Sequence, residues 1–142
     1  MTRDEAIQVA SMLENASADA IEFSGGTIES PVELIPPRPG YLTPAKEVYY
    51  RDAAKLYKQK ISIPLILVGG IRSYEVAEES VRSDLVDYIA LSRPLICEPN
   101  LIKRWHEGDR RAAECVSDNA CFTPASDGSG VSCVTFAKKR SK

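Results

Sequence analysis

The chain has 142 residues, 44% apolar and 27% charged, with a net charge of −2. That length supports one domain with a core of its own. The charge leaves no electrostatic footprint for nucleic acid or an anionic membrane, and no apolar run approaches a membrane span. The start, Met1-Thr2-Arg3-Asp4-Glu5, has no apolar signal core, so the expected location is cytoplasmic.

Thr2 and Glu5 have the spacing of a capping box, and Ala6, Val9, Ala10 and Leu13 then recur on one helical face to about Asn15. Asp19 to Ser24 reads as a first strand, closed by Gly25-Gly26. Thr27 to Pro44 holds five prolines (Pro31, Pro36, Pro37, Pro39 and Pro44). A loop of that length inside a compact domain is uncommon and usually functional. At the carboxyl end of a strand it reads as a lid over a site. Thr43-Pro44 suits an N-cap and first-turn proline, which predicts a helix from Ala45 to about Lys60 with Tyr49, Ala53, Leu56 and Tyr57 inward.

Ile63 to Gly70 is the next strand. Its continuous apolar run, Leu65 to Val68, suits burial on both faces. Ser73 is placed to cap a helix that runs to about Ser83 and buries Ala77 and Val81. Leu85 to Leu91 is the third strand. Pro99 opens a helix with Leu101, Ile102 and Trp105 as its stripe and Gly108 as its stop. From Asp109 to Lys142 periodicity is weak, and this part is expected to be a loosely structured tail.

Strands alternating with helices predict a parallel sheet with right-handed crossovers. In such sheets the carboxyl ends of the strands carry the site. One strand here ends in Gly69-Gly70, which lets the backbone turn tightly and approach a ligand. The next ends in Ser92-Arg93. Bare backbone N–H groups beside a guanidinium make an anion site, and phosphate is the natural guest. Three parallel strands buried on both faces do not close on themselves, since a (β/α)8 barrel takes eight. The expectation is an α/β chain that is incomplete alone and finishes its sheet with a missing N-terminal barrel half or a homo-oligomer partner.

Three stretches together resemble the C-terminal part of the Old Yellow Enzyme family. They are Asp19 to Gly26, Val68-Gly69-Gly70-Ile71-Arg72, and Tyr88 to Ile96 with Glu98-Pro99 following. The resemblance implies strands six to eight, with their helices, of a TIM barrel that binds FMN. It implies a partial barrel over 1–108 with FMN-phosphate-binding strand ends, and a cysteine-containing tail over 109–142. Gly69, Gly70 and Ser92 would give N–H groups to the phosphate and Arg93 would pair with it. Ser24, Gly25 and Gly26 would end strand six under the lid, either against the cofactor or as a plain turn. In the family, NAD(P)H reduces FMN, which passes hydride to an activated C=C bond. The tyrosine acid and the His/Asn substrate clamp of that family lie on earlier strands, so no catalytic residue is assigned and the chain alone is expected to be inactive. The lone histidine, His106, receives no role. A non-catalytic half-barrel assembly or phosphate-binding module is the alternative.

Cys115, Cys121 and Cys133 also resemble three of the four thiolates that hold a 4Fe-4S cluster in dienoyl-CoA reductase-like members, with Asp118 where the fourth would stand. Clusters want four thiolates, and a hard oxygen is a poorer ligand. The sequence therefore favours free thiols over a bound 4Fe-4S cluster, with a Cys3Asp zinc site weaker still. Cys97 falls outside the pattern and is read as a small packing residue.

Overall fold

The computed structural model describes residues 2–27, 29–40 and 43–140, without the side chains of residues 127, 139 and 140. Ile28, Tyr41 and Leu42 of the expected lid lie outside the described residues. Helix α1 (Arg3–Asn15) starts at a complete capping box: the Glu5 N–H donates to Thr2 Oγ1, and the Thr2 N–H donates to Glu5 Oε2. Strand β1 (Ile21–Phe23) follows, then α2 (Arg51–Lys60), β2 (Leu65–Val68), α3 (Tyr74–Arg82) and β3 (Tyr88–Ala90). The sheet is parallel in the order β1-β2-β3, with Phe23 beside Leu67 and Val68 beside Ala90. The tips of β2 and β3 are therefore neighbours. Leu65 and Leu67 of the central strand are fully buried, together with Ala54 and Tyr57 of α2.

Several local expectations change. The helix expected from Ala45 to Lys60 is broken in two. Pro44–Lys46 is a single 3-10 turn without a Thr43 side-chain cap, Glu47 is extended, and Val48 has φ +55°. A β-branched residue in that region is strained, so its surroundings must hold it there. Val48 is buried in the core, and the 4% exposed Glu47 turns away from the helix. The Glu47 carboxylate accepts the N–H groups of Arg72 (2.8 Å) and Ser73 (3.0 Å) and the Ser73 hydroxyl (2.5 Å). Ser73 does stand at the N-cap position of α3, but its hydroxyl makes no cap bond. The hydroxyl is instead committed to Glu47, which ties down the turn before α3.

The inward faces also rotate. On α1 the buried residues are Ile7 and Ala10, while Val9 and Leu13 are exposed. On α3 the buried residue is Ser80, Ala77 is half-buried, and Val81 is exposed. The expected tail is more ordered than its weak periodicity implies. Two short helices, α4 (Arg93–Cys97) and α5 (Leu101–His106), lead into a 3-10 stretch (Ala120–Asp127) and α6 (Val134–Arg140). Ala113 packs with Leu101 and Trp105, and Cys121 and Ser117 are buried. Among the described residues no helix is long and apolar enough to cross a membrane.

Candidate functional site

At the carboxyl end of the sheet lies a cleft of about 260 Å³, lined among others by Ser24, Gly69, Gly70, Arg72, Ser92 and Arg93. Five of the seven residues singled out for cofactor binding in the sequence thus meet on one surface. Gly25 and Gly26 do not line it. Gly25 instead accepts the Tyr50 hydroxyl through its carbonyl. A Cβ on Gly26 (φ +80°) would fall 1.8 Å from the Leu34 carbonyl oxygen. Gly25 thus packs against Tyr50, and Gly26 against the proline-rich loop.

The diglycine turn has φ +148° at Gly69 and +74° at Gly70, both in the region that side chains avoid. Its second constraint is a neighbour. A Cβ on Gly70 would lie 2.5 Å from the Tyr49 ring, and one on Gly69 2.8 Å from Tyr50. Tyr49 also donates its N–H to the Gly69 carbonyl at 3.3 Å and its hydroxyl to the Pro36 carbonyl at 2.5 Å. The break before α2 is what brings both tyrosines over the turn. Tyr49 lines the cleft, but its hydroxyl is committed to the loop.

Arg93 is the first residue of α4 rather than a loose strand end, with Pro94 in the first turn, where proline is tolerated. It is only 8% exposed. Nη1 donates to the Arg38 carbonyl (3.1 Å) and to Asn119 Oδ1 (2.7 Å). Asn119, with φ +61°, returns a bond from Nδ2 to the Pro37 carbonyl at 2.7 Å. The guanidinium is thereby fixed between the proline-rich loop and the tail. Sequence reasoning missed Asn119, which stands beside Asp118 with no local pattern linking it to Arg93. An asparagine is the residue type other than glycine that best tolerates this backbone region, and that was the available signal.

Two more guanidinia stand nearby in the fold. Arg72 lines the cleft; one Nη donates to the Ala113 carbonyl, while its buried Nε has no hydrogen-bond partner among the described residues. Arg38 lies 4.2 Å over the Tyr49 ring and 5.0 Å over Tyr50, and its Nε is likewise buried and unpartnered among the described residues. Buried polar atoms are normally paired. The orphaned Arg72 Nε beside the cleft, with Arg93 on the same lining, fits an anionic group such as the FMN phosphate.

Asp118 is not placed as a free fourth ligand in the tail. Asp118, at the fourth ligand position, accepts the Ala120 N–H (3.1 Å) and the Thr135 hydroxyl (2.6 Å), and these bonds hold its carboxyl below the usual range. Among the described residues no group of three or more His, Cys, Asp or Glu side chains is arranged to hold a metal ion. Cys97, read as a packing residue, lines one small cavity with Cys115, Cys121 and Cys133. Burial, and then a hydrogen bond with Cys133, push its thiol above the ordinary range. His106 is exposed on α5, away from the cleft lining.

Comparison with known proteins gives a consistent picture. Residues 1–111 match the model of the NADH:flavin oxidoreductase / NADH oxidase family. The chain is 34% identical over 119 residues to an NADH oxidase of Thermoanaerobacter brockii, covering 83% of this chain and 18% of that protein. It is 35% identical over 101 residues to an NADH-dependent flavin oxidoreductase of Talaromyces variabilis, covering 68% and 24%. The chain therefore spans about a fifth to a quarter of the length of these relatives. Its fold matches part of a 2-naphthoyl-CoA reductase (TM-score 0.76, 24% identity, 96% of this chain and 20% of that one). It also matches part of a histamine dehydrogenase from Rhizobium (TM-score 0.68, 25% identity, 90% and 18%). With the family model matching most of its length, this chain belongs to the NADH:flavin oxidoreductase / NADH oxidase family.

Proposed function

We propose that this chain supplies the FMN-phosphate grip of an NAD(P)H-dependent flavin oxidoreductase. In this reading β1, β2 and β3 are the sixth to eighth staves of a TIM barrel, and residues 109–142 are a tail that braces the grip. The observation that carries it is the shared cleft, onto which Gly69-Gly70 and Ser92-Arg93 open from adjacent strand tips. Backbone N–H groups of Gly69, Gly70 and Ser92 would donate to phosphate oxygens, and Arg93 would offer charge-assisted bonds. Ser24 would stand at the rim. When bound, FMN would supply hydride relay between NAD(P)H and an activated C=C bond.

The chain's own part is to bind and orient, and Tyr49, with its hydroxyl held by Pro36, is not free to act as an acid. The expected result is a chain that retains FMN, with its yellow absorbance band, yet shows little turnover of NADPH and an enone. A colourless chain that takes up no added FMN would contradict the reading.

A second reading, a half-barrel that assembles without turnover, is favoured by the exposed apolar residues. Val9, Met12 and Leu13 are exposed on α1, and Tyr88 of the edge strand β3 is 60% exposed, near Val81 and Ile102 on one surface. A partner half or a second copy would cover them. A solution mass equal to one chain, without flavin, would count against both readings.

A further inference from the structure

The family match ends at residue 111, yet Cys115, Ser117 and Phe122, all beyond it, line the cleft. The stretch that carries Ser117 is tied at both ends to an arginine of that cleft. The Ala113 N–H donates to the Arg72 carbonyl at 2.9 Å, and the Ala113 carbonyl accepts an Arg72 Nη. Six residues on, Asn119 Oδ1 accepts Arg93 Nη1 at 2.7 Å. Ser117 lies between these two ties. Its neighbours Val116 and Asp118 line the small tail cavity, whereas Ser117 lines the cleft and not that cavity.

Ser24, Ser92 and Ser117 all border the cleft. The first two are exposed, but Ser117 is only 6% exposed. Among the described residues its hydroxyl has no hydrogen-bond partner, although a buried hydroxyl normally finds one. The Tyr49 hydroxyl on the same lining is already committed to Pro36. Ser117 also has φ +56°, a region that few residues other than glycine occupy. Such backbone persists only where its surroundings fix it, and it concentrates at ligand sites.

We propose that Ser117 is a ligand-binding residue supplied by the tail, its hydroxyl donating a hydrogen bond to a phosphate group held between Arg72 and Arg93. This role rests on the phosphate grip proposed above and extends it to a segment outside the family match. An ionised phosphate oxygen accepts O–H and N–H donors in short, charge-assisted bonds. One such group would satisfy both the Ser117 hydroxyl and the buried Arg72 Nε, which has no partner among the described residues. A tail that only braced the grip would leave that hydroxyl buried and unpaired, which is costly.

The test is calorimetric titration of the full 142-residue chain with inorganic phosphate, FMN and riboflavin, on the parent, Ser117→Ala and Ser117→Gly. Both variants lose the hydroxyl, and glycine also relaxes the positive φ, so the glycine variant answers even if the alanine variant fails to fold. Phosphate and FMN should each bind about tenfold more weakly to both variants, about 1.4 kcal/mol, with riboflavin binding as in the parent. Phosphate and FMN affinities equal in all three chains would overturn the role of Ser117 and leave the flavin reading standing. So would weakening in the alanine but not the glycine variant, or an equal loss of riboflavin, since either traces the effect to the backbone. A parent that binds phosphate through Ser117 but takes up no FMN would support the donor and contradict the flavin reading. A parent that binds neither would overturn both.

Discussion

The two ends of the same three strands are built in opposite ways. At the amino end charged groups close on one another. Asp87 accepts the Leu65 N–H (2.8 Å) and the Lys58 ammonium (3.0 and 3.1 Å). Glu14 Oε1 accepts the N–H groups of Ser62 (2.7 Å) and Ile63 (3.2 Å) just before β2. At the carboxyl end Arg72 and Arg93 line a cleft beside a glycine turn, and Arg72 buries an Nε with no partner among the described residues. One end is saturated by its own bonds and holds the sheet. The other keeps donors in reserve and is the end that fits a ligand, as in parallel α/β sheets generally.

Substitutions at the two ends should therefore separate binding from stability. The largest effect is expected for Arg93→Ala, which removes charge-assisted hydrogen bonds worth about 3 kcal/mol; titration should show FMN binding weakened on the order of 100-fold. Asp87→Ala breaks the opposite end. Denaturant unfolding should show a loss of about 2 kcal/mol, with FMN affinity of the folded chain unchanged.

The same latch sets a pH window. Burial pushes the Asp87 carboxyl up, but the Leu65 N–H and Lys58 outweigh it and hold it below its usual value. Its contribution is present above the unfolded carboxylate pKa of about 3.9 and lost as pH falls through the lower folded value. Asp84, against the effect of burial and together with Asp87, raises Lys58. That contribution is present below the unfolded lysine pKa of about 10.4 and lost as pH rises through the folded value. Unfolding followed against pH should show both losses in the parent chain and smaller ones in Asp87→Ala combined with Lys58→Met, where other shifted groups such as Asp118 remain.

Smaller still is Asn119→Ala, which frees Arg93 from one of its two anchors. It should cost about 1 kcal/mol of stability and weaken FMN by up to about tenfold, with Asn119→Gly separating the backbone from the side-chain effect. His106→Gln touches neither end, and both readouts should stay within about 0.5 kcal/mol.

Local features were legible in the sequence. The Thr2/Glu5 capping box, the three strands and their parallel order follow from short-range pattern, and so does the meeting of Gly69-Gly70 with Ser92-Arg93 on one surface. What was missed depends on partners distant in the chain. Nothing near Glu47 shows that its carboxylate will bind the turn before α3, so the broken helix and the tyrosines over Gly69 and Gly70 stayed hidden. The rotation of α1 and α3 arises because Ile7 with Ala10, and Ser80, meet neighbours that the helical period alone does not identify. Cys97 looked isolated because its companions lie on residues 115–133. The bridge from Asn119 to Arg93 and Pro37 joins three segments that no local pattern connects.

The central claim is that these strand tips hold a phosphate and not merely a flavin ring. Equilibrium dialysis of the full chain against FMN and, separately, against riboflavin isolates that group, since the two differ only by the phosphate. The account predicts binding of FMN that inorganic phosphate competes away and at least about tenfold weaker riboflavin binding, about 1.4 kcal/mol. Equal affinity for both flavins, or FMN binding indifferent to inorganic phosphate, would contradict it.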